Sequence, residues 1–343
     1  MAKETTYQSA GVNIQAGYEV VRRIKKLVAP VQPSAVLEGI GAFGGLYELP
    51  HGYQEPVLVS GCDGVGTKIL IARRWDKLET IGVDLVAMSV NDIAAMGAKP
   101  LFFLDYLAVG KLEPDEAERL LVGVVEGCKQ ADCALLGGET AEMPGVYDPG
   151  EFDLAGFAVG IVEKSKIIAG AGIAPGDVLL GLPSSGLHSN GYSLARKICF
   201  ELNDWTLDWI PPGFTEPLGE LLLEPTKIYV KAIQGVLQEV EVKGIAHITG
   251  GGLPENVARI IPQGLTAVIE TGKWPVPPVF DLLKEAGRVS KEEMYSAFNM
   301  GIGLVLVISP EAACLAQKAL SAAGETAYVI GSVVSGEGGV RLV

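Results

Sequence analysis

The stretch Ser60–Leu70, SGCDGVGTKIL, has the outline of a phosphate loop with the wrong interior. Gly61 and Gly66 have the spacing of a G-x-x-x-x-G-K-[ST] motif, but Thr67 and Lys68 follow in reverse order and Asp63 lies inside the cradle. A phosphate loop binds through backbone N–H groups and one lysine, so a carboxylate there repels phosphate unless a cation stands between them. Mg²⁺ prefers one or two carboxylates together with phosphate oxygens and water. Asp63 therefore suits metal-bridged binding with Thr67 and Lys68 as further donors. It equally suits a tight strand-to-helix turn whose amides it caps, and these residues alone leave both readings open.

Three other groups could do chemistry. Asp84, Asn91 and Asp92 interrupt the apolar segment TIGVDLVAMSVNDIAAMGA (80–98). Asp84 and Asn91 fall on nearly one helical face, with Asp92 one step round, and buried charges need a cation or a donor nearby. In LLGGETAEMPGVY (135–147), Glu139 follows a Gly-Gly turn at a strand end, where ligands often sit, and the spacing of Glu142 favours a capping role. SSGLHSNGYSLARK (184–197) and AHITGGGLPENVAR (246–259) share a plan: small residues lead into a helix, and each carries a histidine, His188 or His247. Free amides at a helix start attract anions. Each histidine suits catalysis or a structural brace, whereas His51, in LPHGYQEP, reads as a turn residue.

The elements that must position these groups read as follows. YEVVRRIKKLV (18–28) places Val20, Val21, Ile24, Leu27 and Val28 on one helical stripe. EPVLVSGCDGVGTK is a short strand running into the opening motif. Residues 80–98 form a helix apolar almost all round, and hence buried. PLFFLDYLAVG (100–110), CALLGGET and FDLAGFAVGIVEK are strands, and PDEAERLLVGVVEGCKQA is an amphipathic helix begun by Pro114. A second unit opens near 165–176, where AGAGIAPGDVLLGL gives a turn cluster followed by a new strand. It has a helix over NGYSLARKICFEL, an irregular Trp- and Pro-rich stretch at 205–217, and a helix over EPTKIYVKAIQGVLQEV with Pro at its start. Strands near 265–270, 302–308 and 326–333 alternate with helices near 278–287, 291–298 and 310–323. The expected domains are 1–168 and 169–343, packed directly without a low-complexity linker.

Composition narrows the partners. The 343 residues carry a net charge of −14, which opposes general nucleic-acid binding but not a small phosphorylated ligand held by amides, a lysine and a metal. The five cysteines (Cys62, Cys128, Cys133, Cys199, Cys314) form no C-x-x-C pair, so neither a disulfide framework nor a zinc site is indicated. MAKETTYQSAG lacks an apolar leader and no run approaches membrane-spanning length, so a cytoplasmic protein without membrane partners is expected.

Taken together and in this order, AGVNIQAG, GIGAFGGLYELP, PVLVSGCDGVGTK, IGVDLVAMSVNDIAAMGAKPLFFLDYLAVGKL, GGETAEMPGVY, GLHSNGYSLARK, HITGGGLPENVARI and MYSAFNMGIG resemble the phosphoribosylformylglycinamidine cyclo-ligases, or aminoimidazole ribonucleotide synthetases. The matching pieces run from about residue 10 to 305. The wider superfamily includes selenophosphate synthetase, thiamine-monophosphate kinase, a hydrogenase-maturation protein and formylglycinamidine synthetase.

The resemblance implies an α+β fold of two α/β domains. The N-terminal one binds ATP and contributes strands to a dimeric β-barrel, and the C-terminal one is a mixed sheet with helices. It implies ATP-dependent closure of formylglycinamidine ribonucleotide to aminoimidazole ribonucleotide, with Mg²⁺, in a homodimer. Asp63, Asp92 and Glu139 are the implied metal ligands. Lys25, Gly44, Gly45, Gly64, Gly66, Thr67, Lys68, Asn91 and Gly138 would join Asp63, Asp92 and Glu139 in holding the nucleotide. Ser189, Asn190, Thr249, Gly250 and Gly251 would hold the substrate's phosphate or ribose. His247, His188 and Lys68 are the catalytic candidates.

Two alternatives stand beside this reading: a small-molecule kinase of the same superfamily, such as one for thiamine phosphate, and a non-catalytic nucleotide-binding subunit. A selenophosphate synthetase would need a reactive cysteine near the N-terminal glycine loop, and the first cysteine here is Cys62.

Overall fold

The computed structural model describes residues 8–343. The reading of MAKETTYQSAG as free of an apolar leader falls, up to Tyr7, outside the described residues. Two α/β domains are present, each built on one main sheet. The first sheet uses β3 (Pro56–Gly64), β4 (Lys99–Val109), β5 (Ala134–Glu142) and β6 (Phe152–Glu163) in the order β3-β6-β4-β5. Its pairings are antiparallel except β4 with β5. A small ribbon of β1 (Val36–Glu38) and β2 (Leu46–Tyr47) precedes it. The second sheet has six strands, β7 (Val178–Pro183), β8 (Gly244–His247), β9 (Leu265–Ile269), β10 (Ile302–Ile308), β11 (Tyr328–Ser335) and β12 (Val340–Leu342), in the order β12-β9-β11-β7-β10-β8. The edge strand β12 gave no sequence signal, being three residues long.

The helices of the first domain are α1 (Ile14–Leu27), α2 (Ile69–Arg74), α3 (Glu79–Ala95) and α4 (Pro114–Ala131). In α1, Val20 and Ile24 are buried as the stripe predicts, but Val21 faces outward. Helix α3 is the central element. It packs against β3, β4 and β6 on one side, against α4, and against β8 of the second domain. That all-round burial is why its sequence is apolar on every face. α4 approaches it closely: a Cβ on Gly82 would stand 2.2 Å from the Val124 amide nitrogen, and one on Gly123 would stand 1.9 Å from the Glu79 carbonyl oxygen. Gly61 serves the same end. A Cβ there would lie 3.2 Å from Ile93 Cγ2 and 3.3 Å from the Ser89 carbonyl, so the first glycine of the apparent phosphate motif admits α3.

The other face of the first sheet is uncovered. Leu58, Ser60 and Cys62 of β3 are exposed there, as is Phe157 of β6, which lies opposite Cys62.

The second domain holds α5 (Tyr192–Arg196), α6 (Leu218–Leu223), α7 (Val230–Glu239), α8 (Gly252–Ala258), α9 (Pro278–Gly287), α10 (Lys291–Ala297) and α11 (Ala313–Ala322). Two expectations change. The helix over 190–202 ends its α-helical turns at Arg196 and continues as a π-helix over Lys197–Leu202. The helix over 224–240 begins only at Val230. Residues 224–229 are not helical because their backbone groups bond to α3 and to the turn before α2, as described below. α6, just before them, is stitched to the first domain: Trp75 Nε1 donates to Glu220 Oε1 at 3.2 Å, and Lys77 pairs with the same carboxylate. None of the described helices is long and apolar enough to cross a membrane.

The close α3–α4 crossing generates a stability prediction. Gly123→Ala forces backbone apart and should cost about 3 kcal/mol, at the upper end of ordinary overpacking. Urea unfolding of the purified protein measures it; a midpoint within experimental error of wild type contradicts the packing described.

Candidate functional site

At the end of β3, Asp63 turns to the α3 side of the sheet, as Gly61 does two residues earlier. Its Oδ1 accepts from the Gly64 amide at 2.8 Å, so the capping role is real. Partial burial raises its pKa above the ordinary value, and the nearby Asp92 charge adds to that while His247 opposes it. Asp92, whose side chain is 50% exposed, accepts from His247 Nδ1 at 2.8 Å. The other ring nitrogen, Nε2, lies 3.4 Å from Asn91 Nδ2. An amide NH₂ only donates, so Nε2 is the acceptor and the ring proton sits on Nδ1, facing Asp92. His247 is 2% exposed at the side chain with both nitrogens engaged. It orients Asp92 and has no free lone pair to offer a substrate.

Lys68 is not where a phosphate ligand would be. It is completely buried, and its Nζ donates to Asp84 Oδ1 at 2.9 Å, the His188 carbonyl at 3.0 Å and the Glu224 carbonyl at 2.8 Å. An ammonium has three N–H groups, and all three are taken. Burial pushes the ammonium's pKa down while Asp84 pushes it up. Asp84, also fully buried, accepts in addition from the Thr226 amide at 2.7 Å and the Thr226 hydroxyl at 2.6 Å. Asn91, one helical face further along α3, donates to the Lys227 carbonyl at 2.8 Å and accepts from the Tyr229 amide at 2.8 Å. Asp84 and Asn91 thus find partners in residues 224–229, whereas buried Ser89 donates to the Gly156 carbonyl of β6. Thr226 and Tyr229 carried no sequence signal, because an isolated Thr or Tyr beside a helix start reads as ordinary.

The remaining candidates divide between places. Register runs Asp63, Gly156, Asp105, Gly138 across the four strands. Glu139 is one residue past that row on the opposite face, exposed, and three strand spacings from Asp63, roughly 14 Å. The structure therefore pairs Asp63 with Asp92 and leaves Glu139 apart; among the described residues no three His, Cys, Asp or Glu side chains are grouped as a metal site.

The glycine loop approaches β5 at Leu136. There Lys25 Nζ lies 2.5 Å from the position of a Cβ on Gly41, and a Cβ on Gly45 would meet Leu136 of β5. Gly44 is open, with nothing within 4 Å of its Cβ position. Gly64 continues β3, and Gly66, at φ +72°, makes the turn that carries Thr67, whose hydroxyl is 3.4 Å from Ser193 Oγ. Glu142 caps amides, accepting from Leu112 N at 2.8 Å and from Asn13 N.

His188 is buried at a left-handed φ of 62°, its Nε2 accepting from Ser185 N at 3.2 Å, and burial holds its pKa well below the ordinary value. It is a neutral brace inside its turn. Ser189 Oγ lies 2.9 Å from Thr226 Oγ1. Asn190 Oδ1 lies 3.5 Å from the Cβ position on Gly250, so the HSNG and TGGG loops meet. Asn256 Nδ2 holds the latter loop through the carbonyls of Thr249, Gly250 and Gly252. Gly251, at φ +89°, closes its turn.

Asp63 and Asp92 of the first domain lie beside His247 and the glycine-braced loop that follows it in the second, and the chain matches the AIR synthase related proteins. The N-terminal domain of that family matches residues 45–162 and the C-terminal domain matches residues 174–343. The chain is 56% identical over 330 residues to the phosphoribosylformylglycinamidine cyclo-ligase of Bifidobacterium animalis subsp. lactis, covering 96% of each chain. It is 55% identical to that of Geobacillus kaustophilus, covering 98% of this chain and 97% of the relative. The chain belongs to the phosphoribosylformylglycinamidine cyclo-ligase family. Among solved structures it shares its fold with a thiamine-monophosphate kinase from Stenotrophomonas maltophilia (TM-score 0.68, 18% identity, 94% of this chain and 95% of that one). It also shares it with E. coli HypE, a hydrogenase maturation protein (TM-score 0.65, 18% identity, 95% and 93%).

Asp105, in the middle of the site's strand row, escaped the sequence reading; the signal was one acid in the apolar run PLFFLDYLAVG. Its carboxyl is pushed up to about 7, chiefly by burial, with Glu139 adding to the effect. A Cβ on Gly138 would stand 2.4 Å from its Oδ1. A carboxyl whose folded-state pKa is raised binds more protons folded than unfolded, so its contribution weakens as pH rises from about 4 to 7. Asp105→Asn should remove that penalty, making the variant relatively more stable at pH 8 than at pH 4 by up to about 3 kcal/mol. Urea melts of both proteins at the two pH values check it, and an unchanged difference contradicts it.

Proposed function

We propose that this chain catalyses the ATP-dependent ring closure of formylglycinamidine ribonucleotide to 5-aminoimidazole ribonucleotide, releasing ADP and phosphate in purine biosynthesis. The carrying observation is the near-full-length identity, above half of all positions, to cyclo-ligases. The γ-phosphoryl group of ATP passes to the formyl oxygen, giving an iminophosphate. An amidine nitrogen attacks that carbon, the C–O bond to phosphate breaks, and a proton is shed as the ring forms. Such chemistry asks the protein mainly for positioning and charge stabilisation.

Asp63 and Asp92 fit Mg²⁺. Both are partly exposed acids, close enough that Asp92 raises the Asp63 pKa. When bound, the metal would neutralise charge on the transferring phosphoryl group. The chain's own contribution is to hold the two carboxylates: Gly64 N fixes Asp63, and His247, itself fixed by Asn91, fixes Asp92. Lys25, Gly44 and Gly45 support a phosphate contact at the glycine loop. The HSNG and TGGG loops, through Asn190, Gly250 and Gly251, form the substrate side. In this assignment residues 1–168 bind nucleotide and residues 169–343 complete the substrate site.

The uncovered face of the first sheet supports a homodimer. Leu58 is 59% exposed and Phe157 42% exposed, and an apolar sheet face needs cover. A second copy of the same face, closing the four strands into a barrel, would supply it. Light scattering at micromolar concentration should give twice the chain mass; an active monomer contradicts the proposal.

The purified enzyme should release ADP only when formylglycinamidine ribonucleotide is supplied, and thiamine phosphate should not replace it. Asp63→Asn and Asp92→Asn should each lower kcat by about 100-fold or more while melting near wild type, since one preorganised charge contact is commonly worth that much. Near-normal turnover in both variants at ordinary Mg²⁺ contradicts the metal assignment.

A further inference from the structure

Residues 224–229 have the sequence of a helix start, yet they run outside the helix across α3. Their polar groups meet two buried residues of that helix: Asp84 through Thr226, and Asn91 through Lys227 and Tyr229. Forgoing a helical turn in order to bury polar groups is a poor way to gain stability, because a buried ion pair roughly breaks even against apolar packing. Its directional bonds do, however, fix one geometry.

Thr226 stands where three parts meet. A hydroxyl has one proton, and the Thr226 hydroxyl gives its proton to Asp84 Oδ1 at 2.6 Å. The Ser189 hydroxyl, 2.9 Å away, must therefore donate to Thr226 Oγ1, which sets its rotamer. The residue before Ser189 is held to the same ion pair, since the His188 carbonyl accepts from Lys68. The residue after it, Asn190, reaches the TGGG loop. Both ends of this chain of bonds adjoin the two carboxylates in sequence: Lys68 sits five residues after Asp63, and Asn91 precedes Asp92 and holds His247.

We propose that Thr226 is a positioning residue for ring closure, its hydroxyl tying the substrate-side loop at Ser189 to buried Asp84 and so setting the distance between substrate and nucleotide. The inference rests on the cyclo-ligase reading. It makes the carboxylate cluster and the substrate loops one rigid constellation joined through a side chain that touches neither ligand.

The test compares wild type, Thr226→Val and Thr226→Ser as full-length enzymes. ATP and formylglycinamidine ribonucleotide are varied separately, and thermal melts are run on the same preparations. Val keeps the shape and removes the hydroxyl; Ser restores it. Thr226→Val should lower kcat/KM for the ribonucleotide by about 30-fold, within the range a misplaced reactant costs, and leave the KM for ATP within about twofold. Thr226→Ser should recover to within about threefold of wild type. Three results would overturn the proposal: wild-type kinetics in the Val variant with only a lowered Tm, a Ser variant as impaired as Val, or a Val variant that fails to fold while Ser is normal. A wild-type enzyme without ribonucleotide-dependent ADP release would overturn the cyclo-ligase reading itself, and this inference with it.

Discussion

The rest of the structure depends on a positive charge that water never reaches. Lys68 and Asp84 are both completely buried, and everything they bond to besides each other comes from the second domain. Removing an ammonium and a carboxylate from water is costly, and the cost is offset only when every hydrogen-bonding position is filled with good geometry. The His188 and Glu224 carbonyls converge on Lys68 Nζ and both polar groups of Thr226 on Asp84 Oδ1, while Asp84 Oδ2 meets only the ammonium, at 2.8 Å. The two domains therefore have one permitted register, and residues 224–229 give up helical structure to maintain it.

That register decides what the exposed groups can do. Asp63 at the end of β3 and Asp92 on α3 are each oriented by one neighbour: Asp63 by the next amide, Asp92 by His247. The residues behind them, Lys68, Asp84 and Asn91, are bonded within the protein. In the proposed reading, this division separates groups that meet ligands from groups that aim them. Both histidine candidates are bonded within the protein: His188 Nε2 accepts from Ser185 N inside its turn, and His247 Nδ1 meets Asp92. Asn91 links the two systems, with its oxygen on the Tyr229 amide and its nitrogen shared between the Lys227 carbonyl and His247.

Much of this was legible in the chain. The strands and helices follow from period and from turn residues; α4 and α9 coincide with their expected limits because a proline opens each. The polar residues inside α3 announced buried partners, as the cost of an unpaired charge demands. What could not be read was the partners' identity. Lys68 in a glycine-rich turn reads as a phosphate ligand, and only the tertiary structure shows its three donors taken. The helix expected at 224 failed for the same reason, since long-range bonds to α3 override a local preference that favours continuing to the proline. Asp105 was hidden by the apolar strand around it, and Glu139 by sheet order, which places it far from Asp63 although both lie at strand ends.

The central claim is that the buried pair holds the two domains in one fixed register rather than in a contact that opens and closes. Native-state hydrogen exchange measures this most directly, because the amides of Thr226 and Tyr229 bond to Asp84 and Asn91 across the domain boundary. These amides should exchange only through the opening that exposes the middle of α3, with the same free energy and the same denaturant dependence as Ala87. Exchange at Thr226 and Tyr229 that is orders of magnitude faster than in α3, and insensitive to denaturant, would show that the segment opens locally and would contradict the account.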